Sequence, residues 1–90
     1  MIKIGLDIGK NELGFALLEA NGAQPIAPQI VPYNRLGLEY IEQQFSQFID
    51  SKEQVVIGME STGHYWKPAF HFYREKGYQV DVINPILSSN

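Results

Sequence analysis

Ninety residues suffice for one small domain with a modest core, and the absence of cysteine excludes thiol catalysis, thiolate metal sites and disulfides. Seven Lys/Arg stand against ten Asp/Glu, a formal net charge of −3. That argues against the chain alone as a strong nucleic-acid binder, because such binding is driven by basic patches that displace counterions. Hydrophobic residues make up 44% and aromatics 12%, so the chain should fold. Lys3 and Asp7 interrupt the apolar start too early for a signal peptide, and no apolar run approaches the ~20 residues of a membrane helix. No membrane association is expected, and the cytoplasm is the default.

Residues 2–8 alternate and then run apolar, as a central strand would. Gly9-Lys10-Asn11-Glu12 reads as a turn, with Gly and Asn expected to supply the difficult backbone angles. A second strand is predicted over 13–20, followed by Asn21-Gly22, a strong hairpin signal. Pro25, Pro28 and Pro32 then assign a third strand to a sheet edge, since proline cannot donate to a ladder. The spacing of Leu38, Ile41, Phe45, Phe48 and Ile49 predicts a helix over 35–51 with Asn34 as its N-cap. Residues 54–60 form a short β-branched strand. A second helix over 64–76 shares Trp66, Ala69, Phe70 and Tyr73 on one face, tolerates Pro68 in its first turn and stops at Gly77. A fifth strand over 78–84 is ended by Pro85.

The resulting order is β-β-β-α-β-α-β, a meander followed by strands that should lie parallel to their neighbours through right-handed crossovers. This is an α/β mixed sheet with the element order of the ribonuclease H-like fold. Within it, two carboxylates stand out: Asp7 in Ile4-Gly5-Leu6-Asp7-Ile8-Gly9, and Glu60 in Val55-Val56-Ile57-Gly58-Met59-Glu60. Both sit near the ends of strands read as buried, where an ionised carboxylate costs several kcal/mol unless a cation or hydrogen bonds compensate. If strands one and four are adjacent, both acids lie at the end of the sheet where ligands of open α/β sheets bind. Oxygen ligands of this kind suit Mg2+ or Mn2+.

The stretch Gly5-Leu6-Asp7-Ile8-Gly9-Lys10, then Met59-Glu60-Ser61-Thr62-Gly63-His64-Tyr65, Gly77 and Val82-Ile83-Asn84-Pro85, resembles the N-terminal part of DEDD transposases. These are the insertion-sequence-110 family and the related Piv-type DNA invertases. The resemblance covers nearly the whole chain. It implies that residues 1–90 form part of a RuvC-like nuclease domain, in which four acids, Asp-Glu-Asp-Asp, bind Mg2+ or Mn2+. By motif match Asp7 is the first acid and Glu60 the second. Asp81, inside the fifth strand, fits neither remaining role by position. The family also implies a C-terminal domain with a nucleophilic serine, a structured guide RNA, DNA as substrate and a homo-oligomeric assembly. Ser88 and Ser89 do not match that serine, so the chain is expected to be part of a recombinase, inactive alone, with Ile86-Leu87-Ser88-Ser89-Asn90 as a cut edge.

Each of these residues also has a plainer role. Asp7 could cap the following turn, and Glu60 could bond the next helix start. Ser61-Thr62-Gly63 could cap that helix, Gly63 supplying an unusual backbone angle, or could fix Glu60 along the substrate path. Lys10 could meet a phosphate or be solvated. His64 could contact a phosphate or be a surface residue, and two histidines, His64 and His71, without a near carboxylate make a poor zinc site. Tyr65 is the better candidate for a base contact, whereas Trp66 reads as core. Two other functions compete. A sugar-kinase or actin-like ATP-binding module shares this superfold, but Lys10-Asn11-Glu12 replaces the Gly-Thr pair of its phosphate turn. A non-enzymatic oligomerisation scaffold would use an exposed sheet edge.

Overall fold

The computed structural model describes residues 1–61 and 63–83. Five strands and two helices follow the expected order: β1 (Ile2–Ile8), β2 (Glu12–Leu18), β3 (Gln29–Pro32), α1 (Arg35–Ser46), β4 (Val55–Ser61), α2 (Trp66–Glu75) and β5 (Gln79–Ile83). The sheet order is β3-β2-β1-β4-β5. β1 pairs antiparallel with β2 and parallel with β4, so the meander and the crossover part share their central strand. β3, the proline-bordered strand, lies at one edge, and β5 at the other.

Burial alternates along β1, with Ile2, Ile4, Leu6 and Ile8 buried and Lys3, Gly5 and Asp7 exposed. Leu13, Phe15 and Leu17 of β2, and Val55, Ile57 and Met59 of β4, extend the same buried layer. Both helices pack on it. Leu38, Ile41 and Phe45 of α1 meet Ala69 and Tyr73 of α2 in one core, each large apolar side chain contributing about 1.5–3 kcal/mol by leaving water. The opposite sheet face carries no helix among the described residues. A charge on β1 or β4 is therefore accommodated by alternation, and the expectation that Asp7 and Glu60 are desolvated in buried strands is corrected: both are exposed.

Several boundaries differ from the sequence reading. The β1–β2 turn is closed by Gly9 N–H donating to the Glu12 carbonyl (3.0 Å). It needs no unusual angle at Gly9 or Asn11; positive φ among the described residues is confined to Gly22, Gly63 and Gly77. β2 stops at Leu18, and Asn21-Gly22 forms a local turn closed by Gly22 N to Glu19 O (2.9 Å) and Ala23 N to Asn21 Oδ1 (2.9 Å). The ladder to β3 resumes only at Gln29, beyond Pro25 and Pro28, so the Asn-Gly turn is not a two-residue hairpin.

α1 starts where expected, with Asn34 Oδ1 accepting from Gly37 N at 2.8 Å, but ends at Ser46. Phe48 and Ile49 follow the helix and still pack against the core. α2 begins at Trp66, after Gly63 at φ +68, and Gly77 at φ +95 ends it. Pro68 falls in the first turn, Ala69 and Tyr73 are fully buried, and Trp66 and Phe70 are half-buried in an edge-on pair at 5.5 Å. The stop at Pro85 and the serines Ser88 and Ser89 lie outside the described residues, as do Thr62 and Asn84.

Candidate functional site

Parallel pairing of β1 with β4 sets the site. In that register Asp7 lies opposite Glu60, Gly5 opposite Gly58 and Ile8 opposite Ser61. Because both acids occupy the same phase of the pleat, their side chains leave the same face, the one uncovered among the described residues, one residue before the C-terminal end of each strand. Adjacent strands are on the order of 4.8 Å apart, so the two carboxylates are neighbours. A single row crosses the sheet here: Ile30, Gly14, Asp7, Glu60 and Ile83. In the next row Ala16, Gly5 and Gly58 lie low, with Asp81 at its end.

Together these rows form a cleft of about 690 Å³ with Gly5, Gly14 and Gly58 in its floor and Ile30 and Ile83 in its walls. A Cβ added at Gly5 would meet nothing within 4 Å. Among the described residues neither Asp7 nor Glu60 has an ion-pair partner; the pairs present are Arg35–Glu39 and Lys76–Glu42, both at 3.1 Å. Like charges directly opposite on neighbouring strands are destabilising. A hard divalent cation would remove that repulsion, and the donor set, carboxylate oxygens open to solvent, fits Mg2+ or Mn2+ with several waters retained. No third His, Cys, Asp or Glu joins them in a metal-holding group among the described residues. Asp81 shares the open face but sits one row down, opposite Gly58.

The other candidate contacts fall at the same end of the sheet. Lys10 lies in the β1–β2 turn, and Gly63, His64 and Tyr65 lie between β4 and α2. All four are exposed. The N-cap of α2 is Tyr65, which makes no side-chain cap, and the capping expected of the Ser61 and Thr62 hydroxyls lies outside what the structure describes. The Tyr33 hydroxyl accepts from Ala69 N (3.1 Å) and donates to the Tyr65 carbonyl, bridging the first i, i−4 pair of the helix. Burial pushes the Tyr33 hydroxyl above the usual tyrosine range, partly opposed by that Ala69 bond. Tyr33 was not singled out in the sequence. Its only signal there is a tyrosine just before an N-cap.

The fold resembles that of several solved structures. Thermus thermophilus RuvC in complex with a Holliday junction substrate matches at TM-score 0.57 and 14% identity, covering 96% of this chain and 66% of that one. The fowlpox virus resolvase, solved with Holliday junction DNA, matches at TM-score 0.54 and 20% identity, over 94% of this chain and 61% of the resolvase. A candidate N-acetylmannosamine kinase from Listeria monocytogenes matches at TM-score 0.55 and 15% identity, over 93% of this chain and 35% of the kinase. The architecture is thus the RuvC-like variety of the ribonuclease H-like α/β fold, and the chain spans two thirds or less of each of these structures. No curated protein sequence matches. The family model for the insertion-sequence-110 DEDD transposases, described as transposase, matches residues 4–90. The chain belongs to that transposase family.

Proposed function

We propose that this chain carries the first half of a divalent-metal nuclease site and serves a transposase that cleaves and transfers DNA strands. Residues 1–90 would be one domain of RuvC-like type, completed by further acids and by a serine nucleophile supplied elsewhere in the protein. The observation that carries this reading is the in-register pair Asp7–Glu60 on the open face, at the end of two parallel strands. Asp7 and Glu60 would hold Mg2+ or Mn2+, which when bound would stabilise charge on the phosphate oxygens. The chain's own part is to hold both carboxylates at a fixed spacing on a rigid sheet. Lys10, Thr62, Gly63, His64 and Tyr65 would contact the substrate beside them. By likeness to the family, the protein would work with a structured guide RNA and as a homo-oligomer, with the cytoplasm as its default setting.

Two carboxylates place one metal loosely, so purified 1–90 should bind Mn2+ weakly and fail to nick DNA. In an amide NMR titration, Mn2+ should broaden signals centred on residues 7–10 and 58–63, and Asp7→Asn should abolish this. Unselective broadening, or efficient nicking by native 1–90 that Asp7→Asn removes, would overturn the half-site reading. The ATP-binding alternative rests on fold likeness alone, whereas the transposase reading rests on a family match across 4–90.

A further inference from the structure

A second cavity, of about 570 Å³, opens on the other side of the same sheet end, where the β3–α1 and β4–α2 connections meet the β1–β2 turn. Its composition is the reverse of the carboxylate cleft. Lys10, Arg35 and His64 line it, and no acid does. In a chain of net charge −3 that is a local concentration of positive character. The volume lies within the ~300–1,000 Å³ typical of small-ligand sites. Leu38, Pro68 and Phe72 give it an apolar floor, and Tyr65, 41% exposed, stands at its wall.

Two details argue that the lining is arranged for a ligand. Arg35 is the first residue of α1, where the helix dipole disfavours a cation, and no acid in the first turn offsets it. Its pairing with Glu39 is a solvent-exposed contact, with the Arg35 side chain 80% accessible, and such pairs contribute little. The Tyr65 segment, in turn, is pinned. Tyr33 holds the Tyr65 carbonyl and Ala69 N–H with one hydroxyl, so the ring projects from a backbone fixed to the helix layer. Lys10 follows Asp7 by one turn of chain, and His64 and Tyr65 follow Glu60 through Gly63. The cationic pocket and the anionic cleft are therefore joined across the rim of the sheet by the same two connections.

We infer that this pocket takes one unpaired nucleotide of the DNA strand engaged at Asp7 and Glu60, its base stacked on Tyr65 and its phosphate held by Lys10 and Arg35. The strand crosses the rim from the open face to the helix side. Cation contacts to phosphate and aromatic stacking are the general means by which single strands are held without sequence preference. Tyr33 is a positioning residue that fixes Tyr65. The inference rests on the carboxylate reading for the identity of the strand.

The test uses the purified chain without metal, at low salt, and a ten-nucleotide single-stranded DNA carrying one 2-aminopurine. Quenching of the base fluorescence should saturate, weaken about tenfold in Tyr65→Leu and lose about one unit of salt slope in Arg35→Gln. Circular dichroism and thermal melts establish that each variant is folded. Native-like affinity in folded Tyr65→Leu, absence of quenching in the native chain, or tighter binding of the RNA of the same sequence would overturn the inference. Quenching without a selective Mn2+ response would fault the carboxylate reading alone; a Mn2+ response without quenching would fault the pocket alone.

Discussion

At the scale of single residues, the site is a matter of two carboxylates set side by side by strand register. Asp7 and Glu60 repel each other across the β1–β4 ladder, and no cation among the described residues relieves them. Removing one charge should therefore help the metal-free fold. Asp7→Asn is expected to raise stability by about 0.2–1 kcal/mol, seen as a higher urea midpoint, while losing the Mn2+ response. A drop in stability would instead assign Asp7 a structural role in the turn. Both acids are legible in the sequence as charges in apolar strands. Their exposure is not, because a run such as Ile4-Gly5-Leu6-Asp7-Ile8 fits a strand buried on both faces or on one. The glycine at position 5 hides the alternation.

At the scale of elements, the helix faces were readable and the contacts between helices were not. Leu38, Ile41 and Phe45 are buried as their spacing requires, yet nothing in the spacing says that Gly37 faces a strand. A Cβ there would run into the Pro32 carbonyl oxygen at the end of β3, with Val31 Cγ2 at 3.4 Å. Alanine is the better helix former by about 1 kcal/mol, so propensity predicts that Gly37→Ala stabilises. The packing predicts the opposite, a loss of about 1–3 kcal/mol from overpacking. Chemical denaturation decides the sign.

The α1–α2 contact also carries a pH dependence. Tyr73 donates to the Leu38 carbonyl at 2.8 Å, and Tyr78 donates to Glu42 Oε2 at 2.7 Å, where Lys76 also reaches Glu42. Burial first, then the Glu42 bond and charge, push the Tyr78 hydroxyl up to about 12. Burial, with Glu42 second, raises Tyr73 still further. An unfolded tyrosine ionises near pH ~10, so the folded chain holds these protons after the unfolded chain has lost them. Stability should be level up to about pH 10 and fall as pH rises through about 12. Urea midpoints at intervals from pH 8 to pH 12 would show it, and a flat profile would rule it out. The period of three and four pointed to Tyr73 as core, but its hydroxyl's partner lies on another element and leaves no trace in local sequence.

At the scale of the whole molecule, the sheet formed by the described residues has one covered face, one face without a helix on it and two unequal edges. The open face holds the carboxylates over a floor of glycine and alanine, and strand glycines of this kind commonly mark close approach of another backbone or a ligand. The edges bear on assembly. β3 is short and bordered by proline, which blunts pairing, whereas β5 presents a ladder side among the described residues. If the chain self-associates through an edge, β5 is the better one. Light scattering at high concentration should then give a dimer, and a proline replacing Val82 should return it to monomer; a native monomer throughout would remove edge pairing from the account.

Element order, the central place of β1, the edge position of the proline-bordered strand and the faces of both helices were fixed by local chemistry: period two or 3.6, proline's missing N–H, and the Asn34 cap. The motif residues around Asp7 and Glu60 pointed to the transposase family for the same reason, since a motif is written in order along one chain. Which face the acids occupy, that they lie directly opposite one another, and that Tyr33 holds the start of α2 were decided only by tertiary structure. Each depends on register or on a contact between residues far apart in sequence, where a shift of one residue would turn every side chain of a strand to the other face.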